Sequence, residues 1–126
     1  MLNKLAQFAK DALPIESCAL LLGEEKHGNT KVLDTVRLRN YDESKFSFSI
    51  HPNDLFFGYQ QAKKSGLEVV GIFHSHPSLP LPSEKDRKFM QINPIVWLIY
   101  STWSNEYSAF LYLDRLMHVQ ISQLRD

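Results

Sequence analysis

The sequence holds a single cysteine, Cys18, in 126 residues. A lone cysteine cannot close a disulfide within the chain, which excludes a small secreted scaffold stapled by disulfides and makes a reducing cytoplasm the expected home. Net charge is missing too. Fourteen lysines and arginines balance fourteen aspartates and glutamates, which removes the basic footprint of a dedicated nucleic-acid binder. No run approaches the roughly 20 apolar residues that a membrane span requires. The opening stretch MLNKLAQFAKDAL has neither a long apolar run nor a small-residue cleavage site, so no signal peptide is expected. Repeats, low-complexity tracts and linkers are also lacking. These absences predict one domain over residues 1–126, with no nucleic-acid or membrane partner.

What the chain does have is core material, 44% apolar residues and 12% aromatics, enough to exclude disorder. Leu2, Leu5, Phe8, Ala9 and Ala12 share one face of a first helix that Pro14 ends. SCALLL, residues 17–22, is a short apolar run closed by Gly23 and predicts a buried strand. EEKHGN then predicts a turn, and residues 31–38 a second strand. KFSFSI, residues 45–50, alternates Phe46, Phe48 and Ile50 with polar residues and predicts a half-buried third strand. Pro52 opens a helix with Leu55, Phe56, Tyr59 and Ala62 as its apolar stripe, ended by Gly66. Residues 67–73 form a further strand running into His74, and residues 75–82, with three prolines, a stiff irregular loop. Ser83 caps a short helix through Met90. Strands at 95–100, 107–113 and 116–123 follow at hairpin spacing. The class is α+β, a mostly antiparallel sheet flanked by two main helices and one short one, with strand order left open.

His74 and His76 stand two apart at a strand end, so both imidazoles point to one side and can reach one ion. Zinc takes imidazole nitrogen and carboxylate oxygen, and a catalytic zinc commonly keeps a fourth position open. Asp86, one helical turn beyond Ser83, is placed to supply a third ligand. Pro77, Pro80 and Pro82 restrict the intervening loop and lower the cost of ordering it. Ser83–Glu84–Lys85–Asp86 also reads as a capping box, which needs no metal. His27, His51 and His118 have no such company and are read as structural or exposed. Glu16 is, on its own, a solvated carboxylate at a strand mouth. Cys18 reads as a buried thiol before it reads as a soft ligand or nucleophile.

HSHPSLPLPSEKD resembles the HxHP…SxxD signature of the JAMM (MPN+) metalloprotease family, and LEVVGIFHSHP resembles the strand that leads into it. PIESCALLLG is similar to that family's glutamate-bearing strand, and FSIHPNDL with the following helix fits as well, so the resemblance covers nearly the whole chain. Two positions depart from it: the loop between His76 and Ser83 is one residue shorter, and Ala19 stands near where the family carries glycine. The resemblance implies a JAMM/MPN-like, cytidine-deaminase-like fold of the compact prokaryotic type. It implies one zinc per chain on His74, His76 and Asp86, with Glu16 as general base and Ser83 stabilising the oxyanion. The implied activity is a deubiquitinase-like isopeptidase or peptidase, cutting after the C-terminal tail of a ubiquitin-like or small sulfur-carrier protein.

Two other readings stay beside it. Two histidines and a carboxylate also make a non-haem iron triad, although the helices and the HxH…D order argue against that. A non-catalytic MPN-type scaffold subunit would have lost ligands, whereas every candidate group here is present. Trp103, near the tip of the 101–106 loop, is expected to help hold substrate, with packing back on the sheet as the alternative. The short segments around the motif imply little selection among chain linkages and a grip on an extended donor tail.

Overall fold

The computed structural model describes residues 1–45 and 47–122. Its elements in chain order are α1 (Leu2–Ala12), β1 (Cys18–Lys26), β2 (Asn29–Leu38), α2 (Pro52–Lys64), β3 (Glu68–His76), α3 (Glu84–Ile92), β4 (Val96–Ser101), β5 (Tyr107–Tyr112) and β6 (Leu116–Val119). The strands form one sheet in the order β2-β1-β3-β4-β5-β6. Every neighbouring pair is antiparallel except β3 with β4. That parallel pair needs a crossover, and α3 provides it, which brings the helix beside the end of β3. The α+β class and the mostly antiparallel sheet follow the expectation from sequence.

Side-chain alternation splits the core into two layers. Cys18, Leu20 and Leu22 of β1 join Ile72, Ile99 and Phe110 against Ala62 of α2 and Met90 of α3. Ala19, Leu21, Phe73, Leu98 and Tyr100 face the other way, against Leu5 and Ala9 of α1. His74 and His76 continue the parity of Ile72, so both emerge on the α2–α3 side. Among the described residues no helix is long and apolar enough to cross a membrane.

Five expectations need correction. The turn after β1 shrinks to His27 and Gly28, both at positive φ, because a two-residue hairpin of that geometry matches strand twist; the preceding Glu24, Glu25 and Lys26 extend β1. Residues 45–50 form no strand among those described, and Phe46 lies outside the described residues. Asn40 takes over the role of a ladder there. Its Nδ2 donates to the carbonyls of Glu16, Ser44 and Ser47, and its Oδ1 accepts from the amides of Asp42 and Ser49.

Of the stripe assigned to α2, Leu55 and Ala62 do pack on the core, and the other half is displaced. Phe56 and Tyr59 are exposed, and the helix rests on the sheet through Gly58 and Ala62. A Cβ at Gly58 would meet Leu20 Cδ1 at 2.2 Å, so a larger residue there would have to push the Leu20 side chain aside. Finally, β3 runs on through His76, and β6 ends at Val119; position 123 of the expected last strand lies outside the described residues.

Candidate metal centre

β3 delivers His74 and His76, the N-terminus of α3 delivers Asp86, and the residue before Ser17 at the mouth of β1 delivers Glu16. All four are buried. Asp86 Oδ2 lies 3.1 Å from Nε2 of His74 and 3.1 Å from Nε2 of His76. The same oxygen accepts the Ser83 amide at 2.8 Å, while Ser83 Oγ accepts the Asp86 amide at 3.0 Å. The capping box therefore forms, and its carboxylate faces both histidines at once. One carboxylate thus both closes the cap and approaches the two imidazoles.

On the other side of the ring, Glu16 Oε1 is 3.5 Å from His74 Nδ1. Glu16 itself is pinned by its backbone: its amide donates to the Ser44 carbonyl at 2.9 Å, and its carbonyl accepts from Asn40 Nδ2 at 2.9 Å. Phe48 stacks on His74 with ring centroids 4.5 Å apart, and Trp97 stands edge-on to it. Thr102 fixes the end of the strand, since its amide and its Oγ1 both donate to the His76 carbonyl.

Burial works against a charged His74, but Asp86 and Glu16 outweigh it and hold its pKa above the ordinary histidine value. Burial likewise opposes the Asp86 carboxylate, yet hydrogen bonds from His74 and His76 keep its pKa well below the usual carboxylate range. A carboxylate buried against two imidazoles calls for a compensating positive charge, which a proton on His74 or a bound cation can provide. Donor atoms of Glu16, His74 and His76 lie within 4.8 Å of one another, and His74 Nδ1 is buried without a hydrogen-bond partner. Two imidazoles and a carboxylate converging from rigid elements suit zinc. Asp86 Oδ2 meets both Nε2 atoms, whereas Glu16 Oε1 stands 3.5 Å from Nδ1 of His74, so both carboxylates border the pair of imidazoles.

The remaining histidines stand apart from this cluster. His51 caps α2 by accepting the Asn53 amide, His27 sits in the hairpin turn, and His118 packs on Phe110. Cys18 is fully buried and its thiol, desolvated, is pushed up to about 12, which removes it as a nucleophile. Trp103 is 69% exposed and lines a groove with Pro77, Ser78 and Leu79. Sequence reasoning missed Asn40, Phe48 as a wall of the site, and Thr102. An asparagine at a strand end before a polar stretch is a turn signal, but the alternation of KFSFSI masks it.

The profile of the family described as prokaryotic homologs of the JAB domain matches residues 1–113. A desampylase from Pyrococcus furiosus is 35% identical over 102 residues, covering 80% of this chain and 69% of that protein. A protein from Desulfitobacterium hafniense, solved in solution, superposes with a TM-score of 0.87 at 28% identity, covering 99% of this chain and 89% of the other. A Salinibacter ruber protein gives 0.74 at 26% identity, over 98% and 87%. A JAB1/MPN domain protein from Archaeoglobus fulgidus gives 0.62 at 22% identity, over 95% and 88%, and shares the fold.

Proposed function

The chain belongs to the prokaryotic homologs of the JAB domain, and from that premise we propose that it is a zinc-dependent isopeptidase acting after the C-terminal tail of a small ubiquitin-like or sulfur-carrier protein. In this reading residues 1–126 make one catalytic domain, and His74, His76 and Asp86 hold a single zinc. The observation that carries the reading is the one Asp86 oxygen placed 3.1 Å from Nε2 of both histidines, with the Glu16 carboxylate facing the same cluster. A relative named for desampylation supports a ubiquitin-like substrate.

Zinc held by His74, His76 and Asp86 would supply Lewis acidity there and would make water a nucleophile near neutral pH. Glu16 takes the proton of the attacking water on its carboxylate and returns it to the leaving amine, as one group serving first as base and then as acid. Ser83 Oγ spends a lone pair on the Asp86 amide, which leaves its O–H to donate to the carbonyl oxygen as charge gathers on it. Such a donor is worth on the order of 10²–10³ in rate. Phe48 and Trp97 keep bulk water from the His74 side of the site.

The test joins metal analysis to turnover on fusions of ubiquitin-like and carrier proteins to a lysine-bearing acceptor. Wild type is expected to hold one zinc and release the acceptor. Glu16→Gln should keep the zinc and lose most turnover, because glutamine is close in shape but cannot take the proton. Stoichiometric zinc in a His74/His76 double alanine variant would sink the ligand assignment. Wild type with zinc bound and no release from any carrier would favour the scaffold reading.

A further inference from the structure

Ser75 stands between the two histidines and points away from them, into the layer beneath α1. It is buried, and so is Ser17, the residue after Glu16. The register of β1 with β3 pairs Cys18 with His74, and continued by one step it sets Ser17 opposite Ser75. The Ser75 amide donates to the Ser17 carbonyl at 3.1 Å, as a hydrogen-bonded antiparallel pair requires. The return bond differs. In a regular pair the Ser17 amide would donate to the Ser75 carbonyl; here it donates to Ser75 Oγ at 2.9 Å. Ser17 Oγ makes a second bond to the same oxygen at 3.0 Å.

The ladder therefore ends on a side chain, and β1 begins only at Cys18. One more regular step would set Glu16 directly across from His76. Released from the ladder, Glu16 is instead taken up by Ser44 and Asn40, and its carboxylate comes to rest 3.5 Å from His74 Nδ1. Building on the proposed function, we infer that Ser75 is a positioning residue for the general base. Its hydroxyl ends the β1–β3 pairing at the residue where Glu16 must leave it. The hydroxyl touches neither metal ligand nor substrate and acts only through the Ser17 amide.

Three variants and two readouts test this. Ser75→Ala removes the acceptor, Ser75→Thr keeps it, and Ser17→Ala removes only the hydroxyl–hydroxyl bond. With zinc loaded, Ser75→Ala should hold one zinc per chain, keep KM within about twofold and lose about 10–100-fold in kcat, the scale of a misplaced catalytic group. Ser75→Thr should recover most of that loss, and Ser17→Ala should stay within about twofold of wild type even though it too removes a buried bond. The second readout needs no activity. In metal-free protein, the His74 ring resonances of Ser75→Ala should move towards their positions in Glu16→Gln, while those of Ser17→Ala stay put. If Ser75→Ala does not fold, Ser75→Cys replaces it, since a thiol is a weaker acceptor in nearly the same volume. Wild-type kcat and unmoved His74 resonances in Ser75→Ala or Ser75→Cys would overturn the inference, as would equal losses in Ser17→Ala. A wild type that fails to turn over would count against the proposed activity, and the resonances would still decide the role of Ser75.

Discussion

Phe48 lies against the imidazole of His74 with ring centroids 4.5 Å apart and planes 29° from parallel. The contact joins an irregular segment to the end of β3, so the wall of the site is built by a loop. Asn40 holds that loop through five hydrogen bonds, and Asp42 adds bonds from Ser47, Ser49 and Lys85. Lys85 sits on α3 next to Asp86, so the loop and the helix that carries the third candidate ligand are tied together.

Replacing Phe48 with alanine should cost about 3–5 kcal/mol, because a buried ring is removed from a packed core. The measurement is urea unfolding of the metal-free protein. A loss below about 1 kcal/mol would show that the loop collapses to fill the space and that Phe48 is no fixed wall.

Ser83 has two jobs in the proposed reading, and substitutions separate them. Ser83→Ala loses the cap, worth about 1 kcal/mol, and should slow turnover on the order of 10²–10³ if its hydroxyl also serves the carbonyl oxygen. Ser83→Thr keeps both roles and should stay within a few-fold of wild type. An alanine variant that is less stable but equally fast would leave Ser83 as a cap only.

Much of this molecule is legible in its residues, and the failures share a cause. α1 shows in apolar spacing because it presents one face to a core, β1 and β3 show as short apolar runs because they bury both faces, and α3 shows in its Ser83 cap. SEKD, read from spacing as a capping box, does form one. What spacing cannot show is where a polar side chain replaces the backbone as partner. Asn40 does this for residues 40–49, and the apparent strand at 45–50 is the result. Gly58 misled in the opposite direction. A helix read for its large apolar residues puts Phe56 inside, whereas the smallest residue marks the face that touches β1. Contact between Glu16 and His74 was likewise invisible to spacing, since the two residues stand 58 positions apart in the chain. Only the resemblance brought the two together.

The protonation of the site gives the metal-free protein an unusual pH profile. The pKa of His74 is raised on folding, so its contribution is present below about 6.5 and is lost as pH rises through the folded value. That of Asp86 is lowered, so its contribution is present above about 3.9 and is lost as pH falls through the folded value. Without metal, Tm should therefore fall between pH 6 and pH 8. Zinc requires neutral imidazoles, so the gain in Tm on adding zinc should grow over the same range. Asp86→Asn removes the carboxylate that favours the proton on His74 and should flatten the metal-free profile. A metal-free Tm that rises from pH 6 to pH 8 would contradict this account of the site.

Trp103 offers the last test, on the substrate side. Its ring is exposed at the tip of a short loop and borders Pro77, Ser78 and Leu79. Leu79 and Leu81, on the proline-rich stretch, are exposed as well. The loop is not loose. Ser101 Oγ accepts the amides of Trp103 and Ser104, and Thr102 binds the carbonyl of His76. In the proposed reading, an exposed apolar ring on a loop tied to His76, a proposed ligand, is suited to grip the polypeptide substrate. It makes no contact with the reacting groups, so Trp103→Ala should raise KM several-fold and leave kcat within about twofold, the pattern of lost uniform binding. Because the loop is short, the grip should fall on the extended donor tail, whose backbone bonds read shape more than sequence. Fusions of one ubiquitin-like protein to acceptors through different lysines should then be cut at similar rates, before and after the substitution. Unchanged KM in Trp103→Ala would remove the ring from substrate binding, and strong preference for one linkage would place the selecting surface elsewhere on the chain.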